Sequence, residues 1–248
     1  MDCYNIYFSA TNNSKKVVNE FSNRFNIIKE YNLADKLSID IKFKEEDITV
    51  FGVPSFGGRV PNIALDRLKD IDGNNSIAVL IVTYGNRDYE DTLIELFDFL
   101  KERHFRIIAL ISFVCRHSII NEFARFRPNT KDLNELDYFS EKVIAKIRNN
   151  NFSEPSVPGK RPYKELKVAK LEILVNDNCN KCNYCETICP TNAIISYKNI
   201  DKNKCISCMR CVNACPNNAR YVETKVKENL KNKIKDDCLI EKENELFI

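Results

Sequence analysis

Cys179-Asn180-Lys181-Cys182-Asn183-Tyr184-Cys185-Glu186-Thr187-Ile188-Cys189-Pro190 recurs further along the chain as Cys205-Ile206-Ser207-Cys208-Met209-Arg210-Cys211-Val212-Asn213-Ala214-Cys215-Pro216, every cysteine displaced by the same interval. Each block holds three cysteines spaced three apart and a fourth before proline, and together they use eight of the chain's eleven cysteines. Three thiolates at that spacing curl around one side of a cubic iron–sulfur cluster, while the fourth, beside the proline that ends the turn, points away and serves the other cluster. The repeat therefore predicts one 4Fe-4S cluster on Cys179, Cys182, Cys185 and Cys215, and a second on Cys205, Cys208, Cys211 and Cys189. Zinc sites favour two Cys-x-x-Cys pairs across a longer loop and have no use for a third thiolate at this spacing. Disulfides need an oxidising compartment, and nothing in the sequence sends the chain to one.

From Asn176 to Tyr221 the unit resembles the bacterial two-cluster ferredoxins. Residues 151–221 carry 11 Lys/Arg against 6 Asp/Glu, an excess of five that offsets the negative charge of thiolate-bound clusters and eases electron acceptance. At 248 residues the chain has room for one ordinary domain besides. Its overall net charge of +3 points to neither nucleic acid nor membrane. The longest apolar runs, Ile77–Val82 and Ile107–Val114, suit buried strands and are too short to span a bilayer. The start, Met1-Asp2-Cys3-Tyr4, has no basic leader region, so the expectation is a soluble cytoplasmic protein.

Residues 1–150 alternate strand and helix patterns. β-rich runs lie at Tyr4–Phe8, Ile27–Tyr31, Ile48–Val53, Ile77–Thr83 and Phe105–Val114. Helical spacing follows in Val17, Val18, Phe21 and Phe25, behind Pro61, behind Asp88 as a cap, and from Leu133 to Ile147. This predicts an α/β fold, a five-stranded parallel sheet wound on both faces. Leu33–Lys44 shows no helix pattern, so that crossover is expected to be irregular. Such a sheet binds ligands beyond the carboxyl ends of its strands, and the unusual residues collect there. Ser9-Ala10-Thr11-Asn12-Asn13-Ser14 leads into the first helix, a setting for a phosphate or for simple helix caps. Pro54-Ser55-Phe56-Gly57-Gly58-Arg59-Val60-Pro61 and Tyr84-Gly85-Asn86-Arg87 end two further strands, with glycines where backbone turns or lies close to a ligand.

On those three loops and the eight cysteines, the chain resembles the flavodoxin–ferredoxin fusion proteins of anaerobic bacteria over nearly its whole length. The resemblance implies a flavodoxin-like domain at 1–150 that binds FMN. Ser9, Thr11, Asn12, Asn13 and Ser14 would hold the phosphate. Pro54, Ser55, Phe56 and Gly57 would flank the ring, and Tyr84, Gly85, Asn86 and Arg87 would meet its pyrimidine edge. Asn12 stands where the family usually has glycine, a position that calls for positive φ, and Asn is the substitute that tolerates it best. No Gly-x-Gly-x-x-Gly loop is present, which argues against a dinucleotide in a Rossmann grip.

Residues 151–174 read as a proline-stiffened linker, 175–222 as the two-cluster ferredoxin domain, and 223–248 as a helical tail. Its stripe Val222, Val226, Leu230, Ile234 and Cys238 either docks on a domain or frays. Cys115 and His117 fall at the ligand edge, where His117 either hydrogen-bonds structurally or donates a proton to flavin or substrate. The functional expectation is electron transfer between the two clusters and FMN, linking one-electron carriers to a two-electron partner, with redox proteins and a small-molecule acceptor as partners. A flavin-dependent reductase of a small organic substrate and a non-redox, cluster-sensing role are the alternatives.

Overall fold

In chain order the elements are β1 (Cys3–Tyr7), α1 (Asn13–Ser22), β2 (Ile27–Asn32), β3 (Ile48–Pro54), α2 (Asn62–Leu68), β4 (Ile77–Tyr84), α3 (Thr92–Lys101), β5 (Arg106–Val114), α4 (Thr130–Arg148), β6 (Leu174–Val175), α5 (Tyr184–Thr187), α6 (Arg210–Asn213), β7 (Arg220–Tyr221), α7 (Thr224–Leu239) and β8 (Glu245–Phe247). The computed structural model describes residues 2–167 and 169–248.

The main sheet has the order β2-β1-β3-β4-β5-β8, with its first five strands parallel. Order 2-1-3-4-5 is the flavodoxin-like arrangement, whose switch point lies between β1 and β3. Strand alternation sorts the core into two layers. Ile6, Phe8, Phe51, Val53, Leu80 and Val82 face α2 and α3. Cys3, Tyr7, Val50, Val79, Ile81 and Phe113 face α1 and α4. β4 is buried along all eight residues, as expected of a strand covered on both faces. Gly52 in β3 admits α1 closely: a Cβ there would stand 2.2 Å from Val18 Cγ2.

Residues 33–44 form no helix, as the sequence reading expects; Leu33, Ala34 and Phe43 cover the sheet instead. Two features depart from that reading. The sheet has a sixth strand, because Glu245–Phe247 pairs antiparallel with β5 in the register Leu110↔Phe247 to Ser112↔Glu245, so the tail is helix and then strand. The third helix starts after Asp91, not after Asp88. Asp88 caps a preceding turn through the Glu90 N–H at 2.7 Å.

Asp91 does something else: its carboxylate accepts the amides of Lys160 and Lys164, at 2.9 and 2.7 Å, and so pins the linker to the head of α3. Asp98, further along the same helix, accepts Tyr163 Oη at 2.6 Å and pairs with Arg161. Arg59 donates to the Lys164 carbonyl at 2.6 Å and lies over the Tyr163 ring. The linker is thereby a fixed strap.

In the cysteine-rich unit the internal repeat extends from sequence to backbone. α5 and α6 are displaced by the same interval as the cysteines, and so are the left-handed residues: Lys181 and Ser207, Asn183 and Met209, Asn192 and Asn218. None of these is glycine. Left-handed residues of this kind occur in the concave amide turns that suit iron–sulfur sites. The proline-flanked cysteines repeat too: Cys189 Sγ accepts the Ala193 amide and Cys215 Sγ the Ala219 amide, both at 3.3 Å.

The unit is clamped to the sheet domain. Arg67 of α2 donates to the Leu33, Asp35 and Pro190 carbonyls. Arg210 bonds the Ala34 carbonyl and Asp35 carboxylate from the other side. α7 ties the two as well: Val222 and Val226 pack with Ile173 and Met209, whereas Leu230, Ile234 and Cys238 pack on Ile119, Ile120 and Phe123. The apolar stripe docks on both units, one half on each. Among the described residues no helix is long and apolar enough to cross a membrane.

Candidate functional site

At the carboxyl end of β1 the chain enters α1 through Asn12, whose φ of 70° is the left-handed turn the sequence reading anticipates. The first-turn amides of Asn13 and Ser14 have no intrahelical acceptor, no side chain caps them, and no acidic residue lies in that turn. Ser9 Oγ accepts the Lys15 amide at 3.1 Å, which leaves its own hydrogen to donate. Ser14 Oγ is within 2.7 Å of Thr83 Oγ1. Asn13 spends its side-chain amide on the Arg116 carbonyl, 2.9 Å away, tying this loop to the one after β5. Free amides, available hydroxyls and the positive end of the helix dipole suit a phosphate dianion.

A narrow pocket opens beside this turn. It is lined by Ser9, Thr11, Asn13, Ser14, Pro54, Ser55, Phe56, Tyr84 and Gly85, with Thr83, Cys115 and Cys208 among the remaining residues. It shares Ser55, Phe56, Gly85 and Ser118 with a cavity of about 410 Å³, so the two are ends of one cleft. The far end adds Gly57, Arg87 and His117, Ile206 and Ser207 from the cysteine-rich unit, and residues of the linker and α7. Phe56 meets Phe8 edge-on at 6.1 Å and is partly exposed, so one face packs on the core and the ring also borders the cleft. Tyr84 packs edge-on against Tyr89, and burial raises its phenol pKa. Arg87 is held by Glu90 at 2.7 Å. Gly85 leaves room for His117, whose Cδ2 would stand 2.6 Å from a Cβ at that position.

The structure thus gathers Ser9, Thr11, Asn13, Ser14, Pro54, Ser55, Phe56, Gly57, Tyr84, Gly85 and Arg87 around one cleft. Asn12 and Asn86 do not line it. Asn12 is exposed at the turn. Asn86 is 5% exposed, and its side chain donates to the Cys238 and Ile240 carbonyls at 2.7 and 2.9 Å and accepts the Lys242 amide at 3.1 Å. It anchors the C-terminal segment, whose partners lie near the other end of the chain and leave no local sequence signal. His117 Nδ1 accepts the amides of Ile119 and Ile120, at 3.1 and 3.0 Å, which puts the ring proton on Nε2. Burial, then the Arg87 charge, lowers its pKa to about 4, so the ring is neutral. Burial pushes the Cys115 thiol up to about 12, an inert group at neutral pH.

All the donors in the two runs are thiols, the ligands that an iron–sulfur cluster takes. Among the described residues no three Cys, His, Asp or Glu side chains converge tightly enough for one metal. Cys189, Cys205, Cys208 and Cys211 instead line a single cavity with Ile173, Ala193, Ile194 and Ile200, which is the ligand set that the ferredoxin run predicts for one of its clusters. Cys182 is exposed at the opposite end of the repeat.

The cysteine region matches the 4Fe-4S binding domain family over residues 173–195 and 198–221. No curated protein matches the chain. Among solved structures it is similar to a flavodoxin from the domain Archaea, at 15% identity and a TM-score of 0.45 over 60% of this chain and 99% of that one. It is also similar to the flavodoxin of Streptococcus pneumonia TIGR4, at 16% identity and a TM-score of 0.43 over 59% and 99%. A third is rubredoxin oxygen:oxidoreductase from the anaerobe Desulfovibrio gigas, at 11% identity and a TM-score of 0.41 over 62% of this chain and 37% of that one.

Proposed function

We propose that the chain is an electron-transfer iron–sulfur flavoprotein holding FMN in the cleft and two 4Fe-4S clusters, one on Cys205, Cys208, Cys211 and Cys189 and one on Cys179, Cys182, Cys185 and Cys215. The observation that carries this reading is the position of Cys208, which belongs to a cluster run and lines the same pocket as Ser9, Thr11, Ser14, Phe56 and Gly85. Bound together, such groups supply single-electron transfer at the iron and one- or two-electron storage at the flavin.

The chain's own residues bind and orient. The Ser9 hydroxyl, Thr11 and the first amides of α1 hold the phosphate, and Phe56 gives the ring an aromatic face. The Gly85 backbone and the Arg87 guanidinium, which is paired with Glu90, would stand at the pyrimidine edge of the flavin. Arg67, Arg210, the linker strap and α7 fix the cysteine-rich unit against this cleft, so contact needs no hinge motion. The Cys182 loop, exposed together with Tyr184 two residues on, is the face offered to a protein redox partner; the local excess of Lys and Arg suits an acidic one.

Anoxic purification with iron, sulfide and flavin assays, plus EPR of the reduced protein, tests the proposal. About eight irons and one FMN per chain support it; about four irons, or no flavin, rejects the corresponding half.

A further inference from the structure

The wide end of the cleft, about 410 Å³, is of a size that takes a small-molecule ligand. Phe56, Gly57, Gly85 and Arg87 of the loops assigned to FMN line part of it, and the linker, the loop after β5, α7 and the cysteine-rich unit supply most of the rest. Leu230, Lys233 and Ile234 come from α7, and Ile119 and His117 from the loop after β5. Apolar side chains thus border one lysine and a neutral histidine.

Arg87 and Lys164 also line this end, but both are paired with Glu90; Lys167 lies 3.0 Å from Glu165. Lys233 has no ion-pair partner within 4.0 Å among the described residues, and Asp237, one turn on, is the sole carboxylate in the lining. His117 presents a fixed donor: with Nδ1 occupied by two amides, its only N–H is at Nε2. An exposed lysine, a neutral ring donor and a patch of aliphatic side chains are together complementary to a carboxylate carried on an apolar body.

We propose that this end binds a small organic acid, its carboxylate against Lys233, an oxygen accepting from His117 Nε2–H, and its apolar body on Ile119, Leu230 and Ile234. The inference rests on the reading above in one respect: the flavin ring takes the Phe56, Gly85 and Arg87 side of this end, and the acid takes the α7 side.

The test uses the full chain purified anoxically with its cofactors, titrated with benzoate and with benzamide, which has the same shape without the charge. Binding is followed by calorimetry and by the flavin's visible absorbance. Benzoate is expected to saturate about tenfold tighter than benzamide, a difference of about 1.4 kcal/mol. Lys233→Gln should remove that preference while leaving benzamide and FMN affinity unchanged, and His117→Phe should weaken both compounds. Equal affinity for the two, no saturable binding, or a Lys233→Gln protein that keeps the preference or loses FMN overturns the proposal. If the purified chain holds no FMN, the flavin reading falls on that count, and the calorimetric difference between benzoate and benzamide still decides the cavity.

Discussion

Cys208 of the cluster loop and Ser14 of the first turn of α1 line one pocket. The two positions come from opposite ends of the chain, and they meet because Arg67, Arg210 and α7 hold the cysteine-rich unit over the switch point of the sheet.

Cys208→Ser should therefore separate the halves of the site. The expected protein keeps FMN at wild-type stoichiometry and loses about four irons, those of the Cys205 run, with Cys182 and its neighbours unaffected. Iron and flavin assays on the same sample check this; loss of both cofactors together would mean that the flavin cleft depends on the cluster for its fold.

Asn86 holds the chain's end by three hydrogen bonds from a buried position with a φ of 65°. Asn86→Gly keeps that backbone conformation and removes only the bonds, so the loss should be on the order of 2–4 kcal/mol of local stability. Hydrogen exchange should quicken in β8 and the C-terminal half of α7, and not in β1 or β3. Uniform acceleration across the sheet would contradict the assignment.

Arg210 and Arg67 share the carbonyls of residues 33–35, and Arg67 also reaches Pro190. Replacing both by Met retains the aliphatic stems and deletes the bonds. The expected result is unchanged iron and flavin content with slower flavin reduction by a one-electron donor, since only the docking is loosened. Rapid-mixing spectroscopy reads it.

His117 gives a pH signature. Its folded pKa of about 4 lies below the ordinary 6.5, so between those values the unfolded chain binds the extra proton. Stability is full above about 6.5 and falls as pH drops toward 4, by about 3 kcal/mol in all. The chain has two histidines, so the ring resonance of His117 is identifiable by NMR as the one lost in His117→Gln. Titration of that resonance near 6.5 would contradict the buried neutral ring.

The cysteine spacing and the alternation of apolar runs are local signals, and both fold units are legible from them. The left-handed Lys181, Asn183, Ser207 and Met209 are not, because no glycine marks them; only their recurrence at the cysteine interval reveals a shared geometry. β8 escapes the sequence reading since Glu245-Leu246-Phe247 is too short for a strand pattern. It is recruited by contacts made elsewhere, notably Asn244 with the Val114 amide and Glu245 with Ser112. Asp88 sits at a plausible cap position, yet the helix begins after Asp91, whose carboxylate serves the linker. The loop motifs bring Ser9, Phe56 and Gly85 to one cleft, while the direction of the Asn86 side chain is set by a segment near the far end of the chain.

The most direct test of the central claim is anaerobic rapid mixing of the holoprotein with a one-electron reductant, watching iron–sulfur and flavin absorbance in the same trace. The account predicts that the flavin band bleaches in step with the clusters, and that Cys208→Ser delays the flavin by at least about tenfold. Clusters that reduce fully while the flavin stays oxidised would show that sharing one polypeptide does not join the two cofactors, and the account would fail.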